Sequence, residues 1–571
     1  MRFRYLYPSI VLVLAVSSLL LRSSAQRKTA TLSISTRLVE VSVVVDDKKG
    51  HPVSDLAQDD FHIFDKGHEQ KIVQFQFVSS YAVPAAPLNL PPNVYTNLPA
   101  QQSVSPNNVT IILLDRLNTD FIDQFWSRPQ IIRYLQHIQP RDRIALYVLG
   151  PDLTVLHDFT SDASSLVAAL HGLQGRRPPQ MEQAAIPDPE KNPAVQQLQA
   201  AAGSGPPSAQ AVRLNELITF LNDANNQDVG ANLDDRVRLT LGAFSAIAEH
   251  VAGFPGRKNL LWVSGDFPIQ FDADIGKLPG HQHRDYGDAI ERATQLLSSA
   301  NVAVYPVDVR GLIPENLGTS APMLSSRRDA VIATVPQSLD PSEIATVNAI
   351  AHNTGGRAFF NTNDIENSIA QAVDDARTSY TLGYYPDNAE WNGEFHEIAV
   401  KVDRPNVSVR ARSGYLATRS SPLKVKDENT ILAQIASSPL ESTGLTVFAK
   451  LAPAPPGGTH DSATAFLNVD PRGLALSLVN GHWKGRAIAA FIQLDAKGVP
   501  LGNGIAEQTI DMDLSPETYR SLMRSALKLQ KQLTLERNAA ELCIVAIDET
   551  TGRAGSVHIP IVKDRRKPQP K

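Results

Sequence analysis

The nearly continuous apolar run Val109-Thr-Ile-Ile-Leu-Leu114 ends in a carboxylate and short polar side chains, Asp115-Arg-Leu-Asn-Thr119. Such a run reads as a buried strand. The carboxyl edge of a strand in an α/β sheet is where backbone and side-chain oxygens converge on a ligand. Beyond residue 109 the pattern alternates between strand and helix. Strands are predicted at 109–114, 143–149, 153–158, 259–264, 302–308 and 357–360. Helical patterns fall near 126–138, 162–173, 235–252, 285–300, 341–353 and 364–377. Alternation of this kind predicts a doubly wound, mostly parallel sheet with helices on both faces. Thr160-Ser-Asp162 and Asp340-Pro-Ser-Glu343 are helix-start signals.

The flanks read differently. Residues 31–80 alternate as a small antiparallel β-unit, with turns at Asp46–Gly50 and Asp65-Lys-Gly67. Proline-rich 82–108 reads as a linker, and 109–378 as the α/β domain. The α/β pattern is interrupted at 175–233 by an insertion expected to be mobile, whose first half is rich in Pro, Gln and Ala. Its second half spaces Leu214, Leu217, Ile218 and Leu221 as one helical face. Strand signals return at 379–417, where they are expected to pack with the N-terminal unit. The segment 425–563 reads as a β-sandwich-like domain with one helix around Pro516–Lys531, followed by a basic tail at 564–571.

A chain of 571 residues exceeds one hydrophobic core, and a net charge of -5 gives no reason to expect nucleic acid as partner. Arg2 and Arg4, the apolar stretch from Ser9 to Leu21, and Ser23-Ser-Ala25 form a signal-peptide pattern over 1–25. Cleavage near Gln26 would export the protein to the periplasm, cell envelope or exterior; Arg22 leaves a retained anchor as the alternative. No later run is long and apolar enough to span a bilayer. Cys543, the only cysteine, sits in a strand-like apolar run and reads as a buried, inert thiol.

The order strand, Asp115-Arg-Leu-Asn-Thr119, helix, strand hairpin, Phe159-Thr-Ser-Asp162 and Gly256-Arg-Lys-Asn-Leu-Leu-Trp-Val-Ser-Gly265 resembles a von Willebrand factor A domain. Val53–Phe61, Thr354-Gly-Gly356 and Ser379–Pro386 make it similar to the von Willebrand factor A-related proteins abundant in Acidobacteria. The resemblance implies a metal-ion-dependent adhesion site holding Mg²⁺ or another divalent cation, completed by an acidic side chain of a protein ligand. Its first loop would read Asp-x-Ser-x-Ser. Asp115 matches the first position and Thr119 stands in for the last serine, whereas Leu117 replaces the middle one. The fourth-strand aspartate falls on Ser264, with Asp266 two residues on, and the threonine of the second loop is unassigned. Asp115, Thr119 and Asp266 are therefore the candidate metal ligands of a degenerate site. The competing reading has Asp115 capping the following segment and Asn118 closing a turn.

Enzyme readings find less support. The first strand-to-helix loop lacks the glycines a dinucleotide needs, and neither a Walker sequence nor a Gly-x-Ser-x-Gly elbow occurs. His281-Gln-His-Arg-Asp285 reads as a solvated loop, and Asp374-Asp375 as surface charges. The expected function is that of an exported, non-enzymatic binding protein. Its protein ligand would meet the carboxyl edge at 115–120, 150–152 and 264–268. A cell-envelope scaffold without metal, or a hydrolase with an unrecognised site, are the alternatives.

Overall fold

The computed structural model describes residues 38–79, 90–98, 109–175, 231–269, 286–312, 341–386, 394–417, 425–453 and 462–561. The leader, the basic tail, most of the 175–233 insertion, the His281–Asp285 cluster and the Asp340 start signal lie outside them. Among the described residues, no helix is long and apolar enough to cross a membrane.

The N-terminal strands are β1 (Val39–Asp47), β2 (Phe61–Asp65), β3 (His68–Gln70) and β4 (Ile72–Ser79), followed by the short β5 (Tyr95–Thr96). The α/β part runs β6 (Val109–Asp115), α1 (Phe121–Gln136), β7 (Ile144–Leu149), β8 (Leu153–Thr160) and α2 (Ala163–Gly172). It continues with helix α3 over 231–251, β9 (Lys258–Ser264), α4 (Gly287–Ser299), β10 (Val302–Asp308), α5 (Pro341–Thr354) and α6 (Ile365–Arg377). Its sheet has the order β10-β9-β6-β7-β8, parallel except for β8, which returns as a hairpin on β7. The expected strand at 357–360 reduces to one parallel bridge from Phe359 to Val307.

Both sheet faces are covered, and the side-chain alternation of β6 shows how. Ile111 and Leu113 join the cluster under α3, α4 and α5; Ile112 and Leu114 join that under α1, α2 and α6. The hairpin-side start signal operates as expected: the Asp162 carboxylate accepts the Ser164 N–H at the N-terminus of α2.

Helix α6 passes directly into β11 (Thr378–Tyr384), followed by β12 (Phe395–Val402), β13 (Val407–Ala411) and β14 (Gly414–Leu416). These strands and the N-terminal ones interleave in two sheets, β13-β1-β11-β4 and β14-β12-β2-β3, around one cluster containing Val41, Ile63 and Leu382. At the seam with the α/β part, Arg410 pairs with both Asp46 and Asp375, and the Tyr305 hydroxyl donates to Asp375 at 2.7 Å. Asp375 is thus not a surface charge, being 3% exposed, because the half-buried Arg410 guanidinium compensates it. Asp374 remains partly exposed and pairs with Arg377.

The C-terminal part begins with helix α7 (Val425–Ser437), in a segment expected to be mostly β. Strands β15 (Val447–Pro453), β16 (Ser462–Val469), β17 (Ser477–Val479), β18 (His482–Leu494) and β19 (Pro500–Leu514) follow. Helix α8 (Pro516–Leu522), β20 (Leu527–Thr534), β21 (Glu541–Asp548) and β22 (Ala554–Pro560) complete the chain. The helix expected to reach Lys531 stops at Leu522. Leu527, Leu529 and Leu533 alternate with polar residues, a strand period, and β20 pairs with β16 along its length. Residues 95–97, read as linker, are stitched to β15: Tyr95 and Thr96 pair with it, and the Asn97 amide donates to the Ser442 and Leu445 carbonyls at 2.6 Å. Cys543 is fully buried beneath α7, and burial pushes its thiol pKa up, consistent with an inert side chain.

Candidate functional site

The carboxyl edge is built by the loop after β6. Its backbone is fixed first: the N–H groups of Arg116 and Leu117 both donate to the Leu149 carbonyl at the end of β7, at 2.8 and 3.0 Å. This anchor turns Leu117 into the core, where it is fully buried against the α3-side cluster. The position that would carry a ligating serine is therefore a packing position.

Asp115 is 2% exposed. Its Oδ1 accepts the Asn118 backbone N–H at 2.9 Å, closing the turn. Its Oδ2 accepts the Asn118 side-chain amide at 2.8 Å, the Trp262 indole N–H at 2.8 Å and the Ser264 hydroxyl at 3.0 Å. Burial raises the Asp115 pKa, and the hydrogen bonds from Asn118, Trp262 and Ser264 oppose that rise. Thr119 is also buried, and its Oγ1 accepts the Gly265 N–H at 2.9 Å, tying the first loop to the end of β9.

Asp266 lies at the same edge but turns to a different partner. Its carboxylate pairs with the guanidinium of Arg236, from α3, and its Oδ1 accepts the Phe267 N–H at 2.9 Å. The Arg236 Nε donates to the Asn118 Oδ1 at 2.8 Å, and the Asn118 amide also donates to Thr240 Oγ1 at 3.0 Å. The structure brings Asp115, Thr119 and Asp266 to one edge: Asn118 and Arg236 link Asp115 to Asp266, Trp262 and Ser264 donate to Asp115, and Thr119 holds the Gly265 N–H. Sequence reasoning assigned no role to Arg236 or Trp262. The available signal was electrostatic: buried carboxylates require a compensating cation or donors.

These side chains do not fit Mg²⁺ or Ca²⁺, each of which takes six or more oxygen ligands. Both Asp115 oxygens, the Thr119 hydroxyl and the Asp266 carboxylate already accept protein donors, and Leu117 supplies no oxygen. Among the described residues, no group of three or more His, Cys, Asp or Glu side chains is arranged to hold a metal.

Beside this network the first helix presents an apolar ledge. Phe121, Ile122, Phe125 and Trp126 are 46–65% exposed, and the Phe125 and Trp126 rings meet edge-on with centroids 5.9 Å apart. A groove of about 100 Å³ runs beside it, lined by Leu114, Phe121, Phe125, Ile131, Leu170 and Val263. Asp123, on the same helix, has its pKa raised to about 6 by burial and by Asp120 and Asp308, against Arg310.

No protein-family profile and no curated protein matches the chain. Solved structures that it resembles include an aerotolerance-related membrane protein from Bacteroides fragilis, at 16% identity over 47% of this chain and 98% of that one, TM-score 0.22. The conserved hypothetical protein BatB from Bacteroides thetaiotaomicron matches at 13% identity over 47% of this chain and 97% of that one, TM-score 0.22. A von Willebrand factor type A protein from Catenulispora acidiphila matches at 10% identity over 88% and 75% of the two chains, TM-score 0.23. At these TM-scores the likenesses carry no argument about fold or function.

Proposed function

We propose that the protein is an exported, non-enzymatic binding module. Its von Willebrand A-like α/β domain, set between β-rich N-terminal and β-sandwich-like C-terminal parts, engages a protein partner at the carboxyl edge of the sheet. The leader pattern over 1–25 supports export, and the order strand, polar loop, helix, strand hairpin and helix supports the domain type. The observation that carries the binding reading is the ledge of Phe121, Ile122, Phe125 and Trp126 beside the apolar groove. Adjacent exposed aromatics at a concave edge are the composition of a contact surface, and leaving them in water has a cost that a partner removes. Asp115, Asn118 and Ser264 are engaged with one another, which favours a rigid recognition edge over an acid–base site.

The test compares the full mature chain with Phe125→Ser/Trp126→Ser as immobilised bait for envelope extract of the source organism. Retained proteins that depend on the two aromatics are expected, with the variant's melting temperature unchanged because both side chains are solvent-facing. Identical capture by both baits would remove the ledge, and with it this reading.

A further inference from the structure

We propose that the Arg236 guanidinium takes the place of a divalent cation at the carboxyl edge, so that an internal arginine balances and orders this edge without metal. The inference rests on the reading of the edge as a binding surface and specifies how that surface is held. Arg236 is 7% exposed, and two of its donors face two of the segments that build the edge. Nε holds the Asn118 carbonyl oxygen at 2.8 Å, and Nη2 holds the Asp266 carboxylate. The Asn118 amide carries the link onward to Asp115 at 2.8 Å and to Thr240 at 3.0 Å.

The chemistry of the two cations differs in a way that matters here. A guanidinium is permanently charged, presents its donors in a fixed fork, and is covalently part of the chain. A bound divalent ion equilibrates with solvent and needs several oxygens converging on one point, whereas here Leu117 is packed into the core and the Asp266 carboxylate is turned to Arg236. The arginine side chain therefore keeps the loop at 115–119 and the β9 end at 264–266 in register at any cation concentration. A partner docking on this edge would meet a preformed surface, and chelators would not release it.

The test needs no identified partner. The melting temperature of the full mature chain is measured in EDTA and with Mg²⁺, Mn²⁺ or Ca²⁺, beside calorimetric titration of each ion. No cation-dependent shift and no binding heat are expected for the natural protein. Arg236→Met should melt roughly 5 °C lower or more, because it leaves the Asp266 carboxylate without its cation and the Asn118 Oδ1 without its Arg236 donor. Arg236→Lys, which keeps the charge and loses the fork, should fall between the two. A natural protein stabilised by a divalent ion, with that gain absent in Asp115→Asn, would overturn the assignment, as would Arg236→Met melting like the natural protein. If Arg236→Met does not fold, the cation titrations of the natural protein still decide. Failure of the aromatic-dependent capture would reject the binding reading alone, and leave the cation result intact.

Discussion

Asp115 accepts four hydrogen bonds, from Asn118 twice, Trp262 and Ser264, while almost entirely excluded from water. Asp115→Ala would strand the Trp262 indole N–H and the Asn118 backbone N–H, because Ser264 can turn to the Asp266 carbonyl and the Asn118 side chain keeps Thr240. Each buried donor left without a partner costs on the order of 1–3 kcal/mol, so a loss of about 3 kcal/mol is expected in urea unfolding. A variant as stable as the parent would mean that this network contributes nothing to folding. Asp115 and Thr119 are legible in the sequence because polar residues that end an apolar strand stand out against it. Arg236 is not: it lies 118 positions from Asn118, on a helix whose periodicity reports only its apolar stripe. Asp375 escapes for the same reason, since the partner that compensates it, Arg410, arrives from β13, beyond the α/β part.

Elements announce themselves where local and tertiary preferences agree. The strands of the parallel sheet are such a case, and so is α2, whose cap, Asp162, accepts from the Ser164 backbone at 3.0 Å. Asp162→Ala should lower stability slightly and speed amide exchange in the first turn of α2, with other helices unchanged. Uniform exchange in that turn would show that the cap is redundant. Helix α1 is the contrasting case. Its pattern predicts a start near 126, yet it begins at Phe121 and carries Pro129 inside. The exposed apolar residues of its first turns follow no buried stripe, and Pro129 removes a backbone donor, so both usual helix signals are weakened where the ledge forms. The part of α1 that the sequence obscures is the part that supplies the candidate contact surface.

Across the whole molecule, the α/β part is joined to the C-terminal part through the end of α3. The Thr443 N–H donates to the Glu249 carbonyl at 3.0 Å, its hydroxyl donates to the His250 carbonyl at 2.6 Å, and the His250 ring meets the Glu441 carbonyl at 2.8 Å. Gly253 lies so close to Thr443 that a Cβ there would press into its carbonyl. This joint encloses ionisable groups. Burial raises Glu249 to about 7, against the hydrogen bond from the Ser442 hydroxyl, and raises Glu441 to about 7 as well. Burial lowers His250 from 6.5, so that acid weakens the joint as that ring is forced to charge. The carboxylates act in the opposite direction. Between the ordinary glutamate value of 4.5 and about 7, Glu249 keeps its proton in the folded state and loses it in the unfolded one. The folded state then binds more protons, so its stability is full below 4.5 and declines as pH rises to about 7. Glu249→Gln fixes the side chain in its neutral form. Between about pH 5 and pH 8 the natural protein should lose on the order of 2 kcal/mol relative to this variant, after allowance for partial exposure. Denaturant unfolding of both proteins across that range checks the difference, and parallel pH profiles would show that the Glu249 carboxylate is already solvated at the joint.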